Sequence, residues 1–174
     1  MIMSKQPTLR PSDIVVALQL TISPSAQFKQ LAESTGISAG ECHNAVRRLR
    51  LSGLVLPEER SSSSDAMHQF VVQGLPFAFP SIVGPGIMGV ATAHSSPAFR
   101  GIIESPDHFV WADADGPVRG QSLIPLFPGA PALPSRNPPL YELLTIVDAL
   151  RVGTTRVRKV AAELLAARLA AARA

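Results

Sequence analysis

The distribution of proline constrains the fold of this 174-residue chain more than any other feature. Twelve of the 16 prolines lie between residues 76 and 139. Because proline lacks a backbone N–H and clashes with the preceding helical turn, this segment cannot form a long helix. We expect three parts: residues 1–75, a proline-rich segment 76–139, and residues 140–174. The sequence predicts a mainly α fold with a small β component in the middle.

The composition is that of a folded domain without a membrane span. Hydrophobic residues make up 46% and charged residues 17%, which excludes a disordered chain. A single cysteine excludes an internal disulfide and a multi-cysteine zinc site. No uncharged apolar run reaches 18 residues, and no apolar signal region precedes Pro11. We therefore expect a cytoplasmic protein.

The basic residues are concentrated towards the two ends of the sequence. Residues 1–60 carry a net charge of +2, residues 61–140 carry −2, and residues 141–174 carry +3. This balance permits a nucleic-acid partner without requiring one.

Residues 1–53 have the pattern of three helices. The first begins at Pro11 and Ser12 and ends near Ser23, and the second begins at Ser25 and ends at Gly36. In the third, Ser38 and a glutamate three residues later form a capping-box pattern. An apolar stripe at helical spacing follows, consisting of Cys42, Ala45, Val46 and Leu49.

Two short helices joined by a glycine-containing turn indicate a helix-turn-helix, in which the helix at 39–51 would read DNA. On its outer face, Asn44 suits an adenine edge, and Arg47 suits a guanine edge or a phosphate. Arg48 and Arg50 lie further round and suit backbone phosphates. An ordinary solvated face on a three-helix core is the alternative. The candidate DNA-binding residues are Ser38, Gly40, His43, Asn44, Arg47, Arg48 and Arg50.

The residues after Gly53 predict a wing. Residues 54–56 are β-prone, and Glu58, Glu59 and Arg60 with four serines form a polar tip. A further helix is then predicted with its cap at Asp65, although residues 70–72 would also suit a strand.

Residues 27–55 resemble the winged helix-turn-helix of multiple-antibiotic-resistance-type regulators. The segment FKQLAESTGISAGECHNAVRRLRLSGLV has their order of helix, glycine turn, serine-capped recognition helix and Gly-Leu-Val. The resemblance places Ser38, Gly40, Asn44, Arg47 and Arg48 on recognition-helix positions. The wing departs from the common pattern, because a basic tip is expected where this chain has two glutamates and serines.

The whole chain is also similar to small bacterial winged-helix proteins proposed as regulators, or as antitoxin-like partners of nucleotidyltransferase-type toxins. The similar segments are FVVQGLPFAFP at residues 70–80, GPGIMGVATAH at 84–94 and LYELLTIVDALRVG at 140–153. This resemblance implies a regulatory or partner-neutralising function.

The proline-rich segment predicts a small β-element. Asp113 to Pro117 lies between two β-prone runs, as in a hairpin. Residues 84–89 match GxGxxG, but no βαβ pattern surrounds them, so we interpret them as a glycine-rich turn. The four histidines show no metal-ligand spacing. We expect no enzyme activity, no metal and no cofactor.

Residues 140–174 predict a helical hairpin. Its first helix begins at Pro138 and ends at Gly153, Thr154 or Thr155 caps the second, and residues 166–174 are expected to fray. A basic cluster at the turn could contact phosphate or an acidic partner, or could be a solvated helix end. The cluster comprises Arg151, Arg156, Arg158 and Lys159.

These features predict a winged helix-turn-helix head, a proline-rich β or extended segment and a C-terminal hairpin. We expect a DNA-binding transcriptional regulator, a homodimer that represses its own operon by binding double-stranded DNA. The alternative is an antitoxin-like interaction module that neutralises a partner enzyme. A third option, a small-molecule-sensing regulator, would require an apolar pocket between the winged helix and the C-terminal hairpin.

Overall fold

The computed structural model describes residues 6–172 and is mainly helical, with one small sheet. Three short 3₁₀ helices, Ala93–Ser95, Pro97–Phe99 and Ala130–Ala132, complete the proline-rich segment. The helices are α1 (Pro11–Ile22), α2 (Phe28–Thr35), α3 (Ala39–Leu51), α4 (Ser64–Gln73), α5 (Leu75–Ala78), α6 (Leu133–Arg136), α7 (Pro138–Val152) and α8 (Thr155–Ala171). The strands are β1 (Val83–Thr92), β2 (Phe109–Ala112) and β3 (Val118–Leu123).

Helices α1 to α3 pack together as the sequence predicts. The stripe on α3 is buried, and Gly36 ends α2 with a left-handed φ of 79°. The cap of α2 differs from the prediction: Gln27 is its N-cap residue, and Ser25, which is not the cap, has a left-handed φ of 62°. The peptide N–H of Ser25 instead donates to the carbonyl of Arg60.

The chain after α3 makes a short hairpin followed by a helix. Val55 and Ser62 form one isolated antiparallel bridge, so this hairpin is much smaller than a two-stranded sheet. Residues 64–73 are helical, which confirms the helix and excludes the strand alternative. The N-cap is Ser63, whose hydroxyl accepts from the N–H of Ala66, and not Asp65 as predicted.

The central sheet is a three-stranded closed barrel, and it overturns two predictions. Residues 84–89 are part of the ten-residue strand β1 and not a turn. Strands β2 and β3 do not form a hairpin, since both pair antiparallel with β1 and parallel with each other. The 113–117 turn therefore carries the chain from one side of β1 to the other. A strand as long as β1 can pair with both neighbours, which a local turn signal does not reveal.

Glycine allows the barrel to close. Gly89 pairs with Ala112 in β2 and with Val118 in β3, and a Cβ at Gly89 would collide with the backbone of Trp111. A Cβ at Gly120 would lie 2.6 Å from the carbonyl oxygen of His108. The glycine-rich sequence thus serves close backbone approach inside a strand.

Helix α7 occupies the centre of the molecule. It packs against α1, α8, β1 and the 3₁₀ helix Ala93–Ser95, and it is buried at ten positions from Leu140 to Arg151. Thr154 caps α8 through a hydrogen bond from the N–H of Val157, as predicted. The prediction that the helix frays from residue 166 is wrong for most of the tail. Helix α8 continues to Ala171, and the burial of Leu169 holds its last turn against the core. Residues 173 and 174 lie outside the described residues.

One continuous hydrophobic core runs through the three parts of the chain, from Ile14 in α1 to Leu169 in α8. None of the helices within residues 6–172 is long and apolar enough to cross a membrane.

Candidate functional site

The outer face of α3 presents most of the predicted DNA-binding residues to solvent. Gly40, His43, Asn44, Arg47 and Arg50 are exposed. No atom lies within 4 Å of the position of a Cβ on Gly40, so the start of the helix is open to close approach. Three residues, Gly36, Ile37 and Ser38, separate α2 from α3, the turn length of a helix-turn-helix.

Ser38 acts as a helix cap. Its exposed hydroxyl accepts a hydrogen bond from the N–H of Glu41 at 3.3 Å. The Glu41 carboxylate contacts Arg48 at 2.5 Å and Arg10 at 3.3 Å. The hydrogen bond from Arg48 is the main cause that lowers the pKa of Glu41. The Glu41 carboxylate in the first turn of α3 therefore offsets the charges of Arg10 and Arg48.

Arg48 is bound inside the protein and does not face a phosphate, which corrects the prediction. Its guanidinium makes two parallel hydrogen bonds to Asp13, from Nε at 2.8 Å and from a terminal nitrogen at 2.7 Å. Asp13 is fully buried, and the Arg48 side chain is only 16% exposed. These bonds raise the pKa of Arg48 further above its ordinary value. Arg48 thereby joins α3 to the first turn of α1.

Two arginines near the 54–63 hairpin also make internal contacts. Arg50 donates to the carbonyl of Glu59 at 3.4 Å while remaining exposed. Arg60 lies over the ring of Phe28, with 5.2 Å to the centroid, and donates to the carbonyl of Ala26. The rings of His43 and Phe28 are arranged edge to face, with 5.2 Å between their centroids. The Arg60 guanidinium of this hairpin therefore packs against the start of α2.

Arg151 is buried, which overturns its assignment to a phosphate or partner contact. It forms an ion pair with Asp148 at 2.7 Å, and the two side chains are 4% and 2% exposed. It also donates to the carbonyls of Phe79, Pro80 and Ile124. Phe79 and Pro80 precede β1, Ile124 follows β3, and the start of β1 pairs with the end of β3. Arg151 therefore fastens this end of the barrel to α7.

The remaining basic residues of the C-terminal cluster are exposed in the first turn of α8. Arg156 and Lys159 are three positions apart and share one side of the helix. Arg158 donates weakly to the carbonyl of Arg151 at 3.5 Å. Three of the four predicted cations are thus available to a partner.

Asp148 accepts two further hydrogen bonds at the centre of the molecule. Trp111 Nε1 donates to its Oδ2 at 2.7 Å, and the Thr92 hydroxyl donates to the same oxygen at 2.8 Å. Burial raises the pKa of Asp148, while Arg151 and the two donors oppose that rise. The group is a structural junction between β1, β2 and α7.

A cavity of about 720 Å³ lies in the proline-rich segment, where sequence reasoning placed no site. It is lined from the end of β1 to the start of α7, by residues as far apart as Val90 and Tyr141. Two buried polar atoms in this region, His94 Nδ1 and Ser96 Oγ, have no hydrogen-bond partner among the described residues. The only sequence signal was the density of prolines, which gave no indication of a concave surface.

Cys42 and the histidines make no metal site. Cys42 is fully buried, and burial raises the pKa of its thiol, as suits a small core residue. Within residues 6–172, no three His, Cys, Asp or Glu side chains are grouped to hold a metal ion.

Comparisons of the chain with models of protein families, with characterised proteins and with solved structures found no significant match.

Proposed function

We propose that the chain is a DNA-binding transcriptional regulator that contacts the major groove with the outer face of α3. The observation that carries this proposal is the pair α2–α3, joined by three residues with a left-handed glycine, with the second helix exposed along one polar face. In this proposal the small hairpin 54–63, which follows α3 directly, serves as the wing. In this proposal a homodimer binds two half-sites and represses its own operon.

The residues assigned to the groove are fewer than the sequence suggested. Asn44 would read a base edge, with Gly40 allowing close approach and His43 beside it. Arg47 and Arg50 would contact phosphates. Arg48 is left out because it is bonded to Asp13 and Glu41. Two exposed arginines for each subunit support modest electrostatic affinity.

Salt dependence tests this assignment. With about two phosphate contacts for each subunit, the logarithm of the association constant should fall with the logarithm of salt concentration with a slope of about −2 for each subunit. Arg47→Ala should weaken binding to the DNA upstream of the coding sequence and reduce that slope by about 1 for each subunit. Fluorescence anisotropy with labelled duplexes measures both.

Arg119→Ala is the matched control, since Arg119 is exposed on β3, away from α3. It should leave both affinity and slope unchanged. A scrambled duplex of equal length should bind more weakly than the upstream DNA. Equal binding of the two duplexes, or an Arg47→Ala variant that binds as the unchanged protein does, contradicts the proposal.

A second candidate is an antitoxin-like interaction module, and exposed apolar side chains favour it. Phe77 is 84% exposed, and Ile82 and Ile124, joined by a backbone hydrogen bond, are 59% and 55% exposed. Large apolar side chains left exposed, two of them adjacent, are typical of protein-binding surfaces. The occupant in this case would be a toxin-like enzyme encoded beside this chain.

Co-expression with that enzyme tests the second candidate. The complex should purify as one species, and Phe77→Glu should dissociate it, while Leu51→Glu on α3 should not. A complex that forms equally well with Phe77→Glu contradicts the role of this side chain in partner binding.

A further inference from the structure

The cavity in the proline-rich segment has walls built partly of proline. Pro97, Pro117, Pro131 and Pro134 line it, together with apolar side chains such as Phe99. Proline offers carbon surface and no N–H, and its fixed φ keeps a wall rigid. Its volume of about 720 Å³ lies in the range of sites that enclose small molecules. The concentration of proline in this segment therefore coincides with a preformed apolar cavity.

Two polar side chains of the cavity lining have unused hydrogen-bonding capacity. Ser96 is 3% exposed and its hydroxyl has no partner in residues 6–172. His94 is half-buried, and its buried Nδ1 also has no hydrogen-bond partner among these residues. Buried polar atoms in native proteins are nearly always hydrogen-bonded, because an unpaired one is costly. A bound molecule with one polar group would supply the missing partner.

The turn that carries these side chains has a strained backbone. Ala93 has a φ of 51°, in the left-handed region that non-glycine residues seldom adopt, and it is fully buried. Ser95, in the same turn, is held in place because its hydroxyl accepts a hydrogen bond from the N–H of Phe109 at 2.9 Å. Strain of this kind is concentrated at binding sites, where surrounding contacts hold it in place.

Charge is confined to the rim of the cavity. Arg100, Glu104 and Asp107 line it but are exposed, so water solvates them. Burial lowers the pKa of His94, with Asp107 opposing and His108 adding to this effect, which favours the neutral imidazole. A charged ligand group at the Ser96 end would lose its hydration without gaining a buried counter-charge. The inner end therefore suits an uncharged group.

We propose that this cavity binds a neutral, mostly apolar small molecule that presents one carbonyl or hydroxyl group to Ser96. The apolar frame of the molecule would lie against the prolines and Phe99, and its polar group would hydrogen-bond with the Ser96 hydroxyl. The site is separate from the outer face of α3, and the proposal does not depend on DNA binding.

Two probes that share one ring frame test the proposal on the full chain. 1-Indanone carries a carbonyl group, and indane is its hydrocarbon parent. In ¹H–¹⁵N spectra, 1-indanone should shift the amide signals of Val90, Ser96 and Phe99 and saturate at or below about 2 mM, as expected for a fragment of ten heavy atoms. Indane should bind at the same place about fivefold more weakly, since it cannot pair with Ser96.

Three variants locate the site. Ser96→Ala should remove the fivefold preference for 1-indanone while leaving indane binding unchanged. Ser135→Ala is the control, since this serine lines the same cavity but is exposed, and the preference should persist. Ser135→Trp should block both probes, with unchanged circular dichroism showing that the fold is intact. Binding without saturation, shifts that map elsewhere, or a preference that survives Ser96→Ala would falsify the proposal.

Discussion

Two arginine–carboxylate pairs within residues 6–172 have a buried carboxylate, and they differ in depth. Asp148 and Arg151 lie at the centre, with 2% and 4% of their side chains exposed. Asp13 is fully buried as well, but its partner Arg48 is 16% exposed and lies at the edge of α3. The central pair holds the barrel against α7, and the other holds α3 against α1. The cost of losing either arginine therefore depends on what remains around its carboxylate.

Arg151→Met should produce the largest loss of stability. It leaves the Asp148 carboxylate buried without a counter-charge and frees the carbonyls of Phe79, Pro80 and Ile124. We expect the free energy of unfolding to fall by about 3–5 kcal/mol. Urea titration followed by circular dichroism measures this. Arg156→Met, an exposed change in the next helix, should alter it by less than about 0.5 kcal/mol. Equal effects of the two changes would refute the structural role of Arg151.

Arg48→Met should cost less, about 2 kcal/mol in the same titration. Asp13 would retain a hydrogen bond from the N–H of Arg10 at 2.9 Å, and water can reach the edge of α3. The matched control is Arg47→Met, because Arg47 is the preceding residue and is exposed. If Arg48→Met destabilises the protein as much as Arg151→Met, depth does not distinguish the two pairs.

Thr92→Val removes a single hydrogen-bond donor from the central pair. The change preserves shape and leaves Asp148 with Arg151 and Trp111 as partners. Since a hydrogen bond to a charged group is lost, we expect a decrease of about 1.5 kcal/mol. Thr145→Val is the control, because this equally buried threonine donates to the helix carbonyl of Glu142. Thermal unfolding of the two variants should rank them in that order, and the reverse order contradicts the assignment.

The sequence predicts those elements whose signals are local. The helix at 39–51 was predicted with its observed bounds, because Ser38 and the apolar stripe lie within a few turns of one another. The start and end of α7 follow from Pro138 and Gly153 in the same way. Helical periodicity also identified Cys42 as a core residue.

Long-range contacts account for what the sequence did not predict. Arg48 lies on the outer side of α3 by helical angle, but Asp13, 35 positions earlier, covers it. The partners of Arg151 come from residues 79–80 and 124, which a helical pattern around Gly153 does not reveal. The barrel and the cavity were not predicted for the same reason, because both are formed by residues far apart in the proline-rich segment.

Glu41→Gln should have the smallest effect and a characteristic pH dependence. Arg48 lowers the pKa of Glu41 in the folded protein, so its ionised form stabilises the fold above the ordinary glutamate pKa of about 4.3. That contribution is lost as pH falls through the lowered pKa. The variant should therefore be less stable than the unchanged protein by under about 1 kcal/mol at pH 7, and the difference should shrink between pH 5 and pH 3. Urea titrations at several pH values measure this, with Glu33→Gln on the exposed side of α2 as control. A difference that stays constant with pH would show that Glu41 acts through packing and not through its charge, which would leave Asp13 as the sole electrostatic partner of Arg48.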